Sequence, residues 1–210
     1  MGNTSSHKQH QSLEYDQNKA VDVIIRDDHL LSPHSDADDH SSLTPVALRR
    51  QHMEEVTANR PIPSEESFQC AEITWAILSE NRDGLGTEVF VRMFESYPDL
   101  KSAFGPLRHM NKKDAGYEDV LRAHGIRVLS IVEQVLSKRH NMEEVLSILH
   151  DLGRKHLTFS AKVEYIDIVS QMFLFAIESA LKEKWNNSTE KSWGEIIRFV
   201  TYVMKETMVL

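Results

Sequence analysis

The chain has 210 residues and a mass of 24.2 kDa, enough for one domain with an appendage and a sizeable core. Its net charge of −8 and pI near 5.8 exclude nucleic acid as a partner, because gripping phosphates takes a basic face. Cys70 is the single cysteine, so no disulfide can close within the chain, and neither a secretory apolar region nor a membrane-length apolar run is found; together these predict a cytoplasmic protein.

Residues 1–62 are rich in Ser, His, Asp and Gln and poor in aromatics. Such a stretch buries too little apolar surface to offset its ordering entropy, and we expect it to be mostly disordered. It has two short exceptions, the apolar run Val21-Asp22-Val23-Ile24-Ile25 and a helix opening at Thr44-Pro45 and running through Met53 and Val56, with Thr44 as cap and Pro45 in the first turn. The start, Met1-Gly2-Asn3-Thr4-Ser5-Ser6, matches the pattern for myristoylation of Gly2, and an unmodified terminus stands beside that reading as an equal alternative. A single acyl chain supports only weak, reversible association with a membrane, here the inner face of the plasma membrane, because no early cysteine or lysine cluster reinforces it.

The folded part is expected over 63–210. Ser64 caps a first helix whose opening turn carries Glu65 and Glu66, and Ile73, Trp75, Ala76, Ile77 and Leu78 are expected to face the core until the polar run 81–84 ends it. A second helix runs to about Ser96 with Phe90 and Phe94 one turn apart. Pro98 turns the chain, and Phe104 is a large apolar side chain presented from an irregular segment. The polar stretch Asn111-Lys112-Lys113-Asp114 leads into a long helix, a break follows at 138–141, and a shorter helix comes next. Two final helices, roughly 162–184 and 190–208, are divided by 186–189, where Asn187 and Glu190 have the spacing of a capping box. No alternating strand pattern competes, so the fold class is all-α.

The segment 121–168 carries the candidate site. Leu121, His124, Val128, Ile131, Val132 and Val135 recur at three-and-four spacing on the long helix, and Val145, Leu149, Leu152 and His156 do so on the shorter one. Both imidazoles thus fall on faces that are being buried. Taken singly, each is more readily a core histidine satisfied by a carbonyl; as a pair on consecutive helices they also suit nitrogen donors around a group held between the helices.

With these histidines, the order Phe90, Phe94, Pro98, Phe104 resembles the globin family, in which a proline begins the C helix and a phenylalanine packs against haem. The resemblance spans roughly 67–208 and, through Leu152-Gly153-Arg154-Lys155-His156 and the wide spacing of the histidines, is nearest to neuroglobin and globin X. It implies a globin fold, a three-on-three helical sandwich, around haem b. His156 is then the proximal iron ligand, its second ring nitrogen donating to a carbonyl near Leu152. His124 is the distal residue, either donating to a bound gas, a bond worth about 1.5–3 kcal/mol, or itself occupying the iron's sixth position until a ligand displaces it. The wide spacing favours the second arrangement. The resemblance also assigns Phe104, Phe90, Val128, Leu152 and Ile166 to the pocket wall, joined by Phe94 and Val169 unless these are plain core. Arg127 is either a propionate partner or a solvated surface charge. Phe90 stands where some globins place a tyrosine as second donor, which weakens oxygen retention.

Three functions follow from the resemblance. One is reversible binding of oxygen or another diatomic gas, for storage, transport or sensing. The second is bis-histidyl electron exchange, and the third is conversion of nitrite or nitric oxide. No G-x-G-x-x-G fingerprint is present, so any turnover relies on an external reductase. A haem-free globin-like domain is disfavoured by the joint presence of His156, Phe104 and His124.

Overall fold

The computed structural model describes residues 44–208; the Gly2 site and the apolar run at 21–25 lie outside the described residues. Helix α1 (Pro45–Ala58) starts as its sequence suggests, with proline in the first turn and the Thr44 hydroxyl accepting from the Ala47 amide at 3.2 Å. Its Val46 and Leu48 are exposed; the side chains of Met53 and Val56 are not among those described. The compact unit takes in α1, ahead of the expected start at residue 63.

Helix α2 (Glu65–Leu78) is capped by the Ser64 hydroxyl, which accepts from Ser67 N at 3.2 Å, and Glu65 and Glu66 occupy the positive end of its dipole. Phe68, Ala71, Trp75 and Leu78 form its buried face. Ile73 and Ala76, expected inward, point outward, Ile73 with 71 % of its surface exposed. Steps of three and four from Phe68 reach 71, 75 and 78, and residue 73 lies roughly 200° around the axis from its neighbours on that face. Helix α2 ends ahead of the polar run 81–84, as expected, and that run itself opens the next helix. A short 3-10 turn, Ser79–Asn81, feeds directly into α3 (Arg82–Ser96), and Asn81 caps it by accepting from Gly84 N at 3.1 Å.

Two 3-10 turns, Pro98–Ala103 and Gly105–Leu107, flank Phe104, whose extended backbone separates them. Then come α4 (Tyr117–Ser137), α5 (Met142–Thr158), α6 (Val163–Leu181) and α7 (Asn187–Glu206). The last helix has its capping box one residue earlier than expected. Asn186 Oδ1 accepts from Thr189 N at 3.2 Å while Thr189 Oγ1 accepts from Asn186 N at 2.8 Å, so Thr189, not Glu190, closes the box. No strand occurs among the described residues.

Helices α2, α4 and α5 face α3, α6 and α7. The cross-layer packing is α2 on α7, α3 on α4 and α5 on α7, while α3–α6 and α6–α7 contacts knit one layer. Trp193 is fully buried at the centre, its indole N–H donating to Thr74 Oγ1 at 2.9 Å, and Trp75 tilts against it at 6.2 Å between ring centres. The site lies where α3, α4 and α5 leave apolar side chains incompletely covered.

Candidate functional site

Helix α5 is capped by Asn141, whose side chain accepts from Glu144 N at 3.3 Å, and it anchors itself in the core with Val145 and Leu149. The next residues of that stripe, Leu152 and His156, are only half-buried. The two are tied together, because His156 Nδ1–H donates to the Leu152 carbonyl at 2.9 Å. A carbonyl can only accept, so Nδ1 carries a proton and Nε2 is the nitrogen left to act as a ligand. The helix closes just beyond. Phe159 N and Ala161 N both donate to His156 O at 3.1 Å, with Ser160 in the left-handed region at φ 58°, a turn usually made by glycine.

His124 is placed by a close helix crossing. A Cβ on Gly86 of α3 would lie 2.7 Å from the Gly125 carbonyl carbon of α4, so only glycine at both positions lets the backbones approach this far. The crossing sets His124 against two phenylalanines, edge-on to Phe90 at 4.7 Å and to Phe104 at 4.9 Å between ring centres. Phe104 is braced in turn by Phe94 at 5.7 Å. Burial, then the charge of Arg127, then the field of His156 push the His124 pKa down to about 4. Its ring is therefore neutral at physiological pH, with one nitrogen able to act as a ligand.

The remaining expected residues divide. Val128 and Ile131 follow His124 on a half-buried strip of α4, one residue off the fully buried strip Leu121, Gly125, Leu129 and Val132. Phe90 and Phe94 are buried behind Phe104, so they support the wall. Ile166 is core on α6 and Val169 is partly exposed one turn on. Arg127 is exposed, and its influence on His124 is electrostatic. Two helices thus present an imidazole each, with half-covered Val128, Ile131, Leu152 and Phe104 around them. This donor set, with one imidazole already oriented through its far nitrogen, fits a flat apolar group bearing a metal at its centre.

The sequence model of the globin family matches residues 87–204. The chain belongs to the globin family. Among its relatives are cytoglobin-1 of Oryzias latipes, 22 % identical over 75 % of this chain and 89 % of its own length, and cytoglobin-2 of Danio rerio, 27 % identical over 59 % and 70 %. In fold the globin is similar to a hexacoordinated haem protein from an anhydrobiotic tardigrade, at TM-score 0.61 and 20 % identity over 73 % of this chain and 99 % of the other. The chain thus resembles cytoglobins within the family, its all-α globin fold is confirmed, and haem with its iron is the cofactor. Sequence reasoning missed a polar cluster behind this globin's α5, where Arg60, His150 and Glu206 meet, because Arg60 and Glu206 stand 146 residues apart and no local pattern links them.

Proposed function

We propose that this globin binds a diatomic gas reversibly at haem iron, oxygen foremost; His156 would hold the iron through Nε2, and His124 would serve as a second nitrogen donor that gives way to the gas. Haem iron supplies the centre that takes a gas molecule or passes one electron. The chain supplies the rest. His156 presents Nε2 in an orientation set by the Leu152 carbonyl, and that hydrogen bond raises its basicity. His124, wedged edge-on against Phe90 and Phe104, carries the reading: a neutral imidazole held by two rings and a glycine crossing is poised as a nitrogen donor. Gas affinity is then lowered by the fraction of molecules in which His124 stays bound, and the phenylalanine wall keeps water from the site. The tardigrade protein of similar fold is named as hexacoordinated, in line with this reading.

The same pair of imidazoles supports a second reading, bis-histidyl electron exchange with an external reductase, with conversion of nitrite or nitric oxide as a minor activity. Cytoplasmic residence, and acylation of Gly2 bringing the chain to the inner membrane face, belong to the proposal too. Mass spectrometry of the protein from eukaryotic cells should find the acyl group, and a free or acetylated terminus rejects it.

The decisive experiment is the visible spectrum of the ferrous protein without added ligand. Sharp, separated bands of low-spin iron are expected, and His124→Leu should convert them to one broad high-spin band while speeding carbon monoxide binding. A broad band in the unaltered protein removes His124 from the sixth position.

A further inference from the structure

We infer that Arg60, Glu206 and His150 form a lock that couples the segment ahead of α2 to the helix carrying His156. The Glu206 carboxylate is buried, with 2 % of the residue exposed, at the last turn of α7. Arg60 grips it with both arms of its guanidinium, Nε to Oε1 at 2.9 Å and Nη2 to Oε2 at 2.7 Å. His150 Nε2–H donates to the same Oε2 at 2.7 Å from α5. A carboxylate so placed is tolerated only while its donors stay, since removing one leaves a buried charge uncompensated.

Helix α5 rests on this turn through more than one contact. The Thr207 hydroxyl donates to the His150 carbonyl at 3.2 Å, and a Cβ on Gly153 would collide with the Met204 carbonyl and the Thr207 hydroxyl. Gly153 lies midway between His150 and His156. Any shift of the α7 end against α5 is therefore carried one turn along to the Leu152 carbonyl that orients His156.

The other end of the lock reaches forward in the chain. Arg60 follows the Asn59 cap of α1 and precedes Pro61-Ile62-Pro63, a stretch stiffened by its fixed proline dihedrals, with Pro63 buried. Arg60 thus joins two parts of unequal attachment: α1, which leaves Val46 and Leu48 exposed, and the helical body. Drawing α1 away withdraws Arg60, bares Glu206 and loosens the seat of α5. The segment before α2 acts as a strap whose release weakens the hold on haem.

This rests on His156 as axial ligand, and the test separates the two. Arg60→Met, Glu206→Gln and the double variant are made in the full-length haem-loaded protein. Haem loss to a scavenger apoprotein and helix-resolved hydrogen exchange are both followed. Arg60→Met should lose haem on the order of tenfold faster, as loss of groups supporting a metal ligand commonly does. Exchange should quicken in α5 and the last turn of α7 while α2, α3 and α4 keep their protection. The double variant, with no bare carboxylate, should return haem retention to within about twofold of the parent. An unchanged haem-loss rate in Arg60→Met overturns the lock, and so does faster exchange spread evenly over all helices. Should His156→Gly keep its haem coordination, the ligand assignment fails, while the exchange pattern of Arg60→Met still reports on the lock.

Discussion

At the scale of single residues the two histidines are built differently, and their replacements should behave differently. His156 owes its orientation to one backbone carbonyl, so a small molecule with the same ring can stand in for it. In His156→Gly, haem should fall out of normal axial coordination and return to it when imidazole is added, as followed by the Soret band; coordination unchanged without imidazole removes His156 from the iron. His124 makes a prediction in pH. Its folded pKa near 4 lies below the ordinary 6.5, so between these values the unfolded chain holds a proton that the folded one refuses. Stability from this source is complete above pH 6.5, declines as pH falls toward 4 and changes no further below, a loss of roughly 3 kcal/mol. Denaturant titrations of the haem-free protein should show that decline, and His124→Leu should lack it. The bond from His156 to Leu152 was expected from the family resemblance, and no local pattern in the sequence announces it. The wedging of His124 was not, since Phe90 and Phe104 come to it from an earlier helix and a turn.

At the scale of elements, the α3–α4 crossing does most to locate the pocket. Gly125→Ala inserts a methyl group where three backbone atoms of Gly86 stand within 2.7 Å, so α4 must back away. Stability should fall by about 1–3 kcal/mol, the usual cost of overpacking, and the optical spectrum should report a weakened sixth ligand. Thermal melts alongside ferrous spectra check both, and an unperturbed pair of readings refutes the crossing's role. Element boundaries were readable where a cap announced them, as at Thr44 and Ser64. They slipped where two caps lay side by side: Asn186 and Asn187 are equivalent by residue type, and only the partner at Thr189 chooses between them. The same holds for Asn81, which looked like the end of one helix and proved to be the beginning of the next. Ile73 misled because hydrophobicity was weighed above phase; an isoleucine two positions from a buried tryptophan faces away from it.

At the scale of the molecule, α5 depends on the cofactor more than its neighbours do. It packs chiefly on α7, whereas its other face meets the site. Removing haem should therefore unravel helix amounting to about the 17 residues of α5 while the α2–α7 and α3–α4 pairs persist. Far-ultraviolet circular dichroism together with residue-resolved exchange measures this, and a helix content unchanged on haem removal contradicts it. The overall architecture was legible from the ordered helices and the Phe–Pro–Phe–His–His succession. The Arg60–Glu206–His150 cluster was invisible, since long-range polar contacts leave no periodic trace in a sequence. Helix α4 carries one further implication. Its core strip and its pocket strip run side by side, a single residue out of step. Substitutions along either strip can be accommodated one at a time. Inserting one residue before His124 turns the rest of the helix by about 100° and puts the pocket residues on core positions, while deleting one puts the core residues on pocket positions. Natural variation in this stretch should therefore consist of replacements, with length changes confined to the turns on either side.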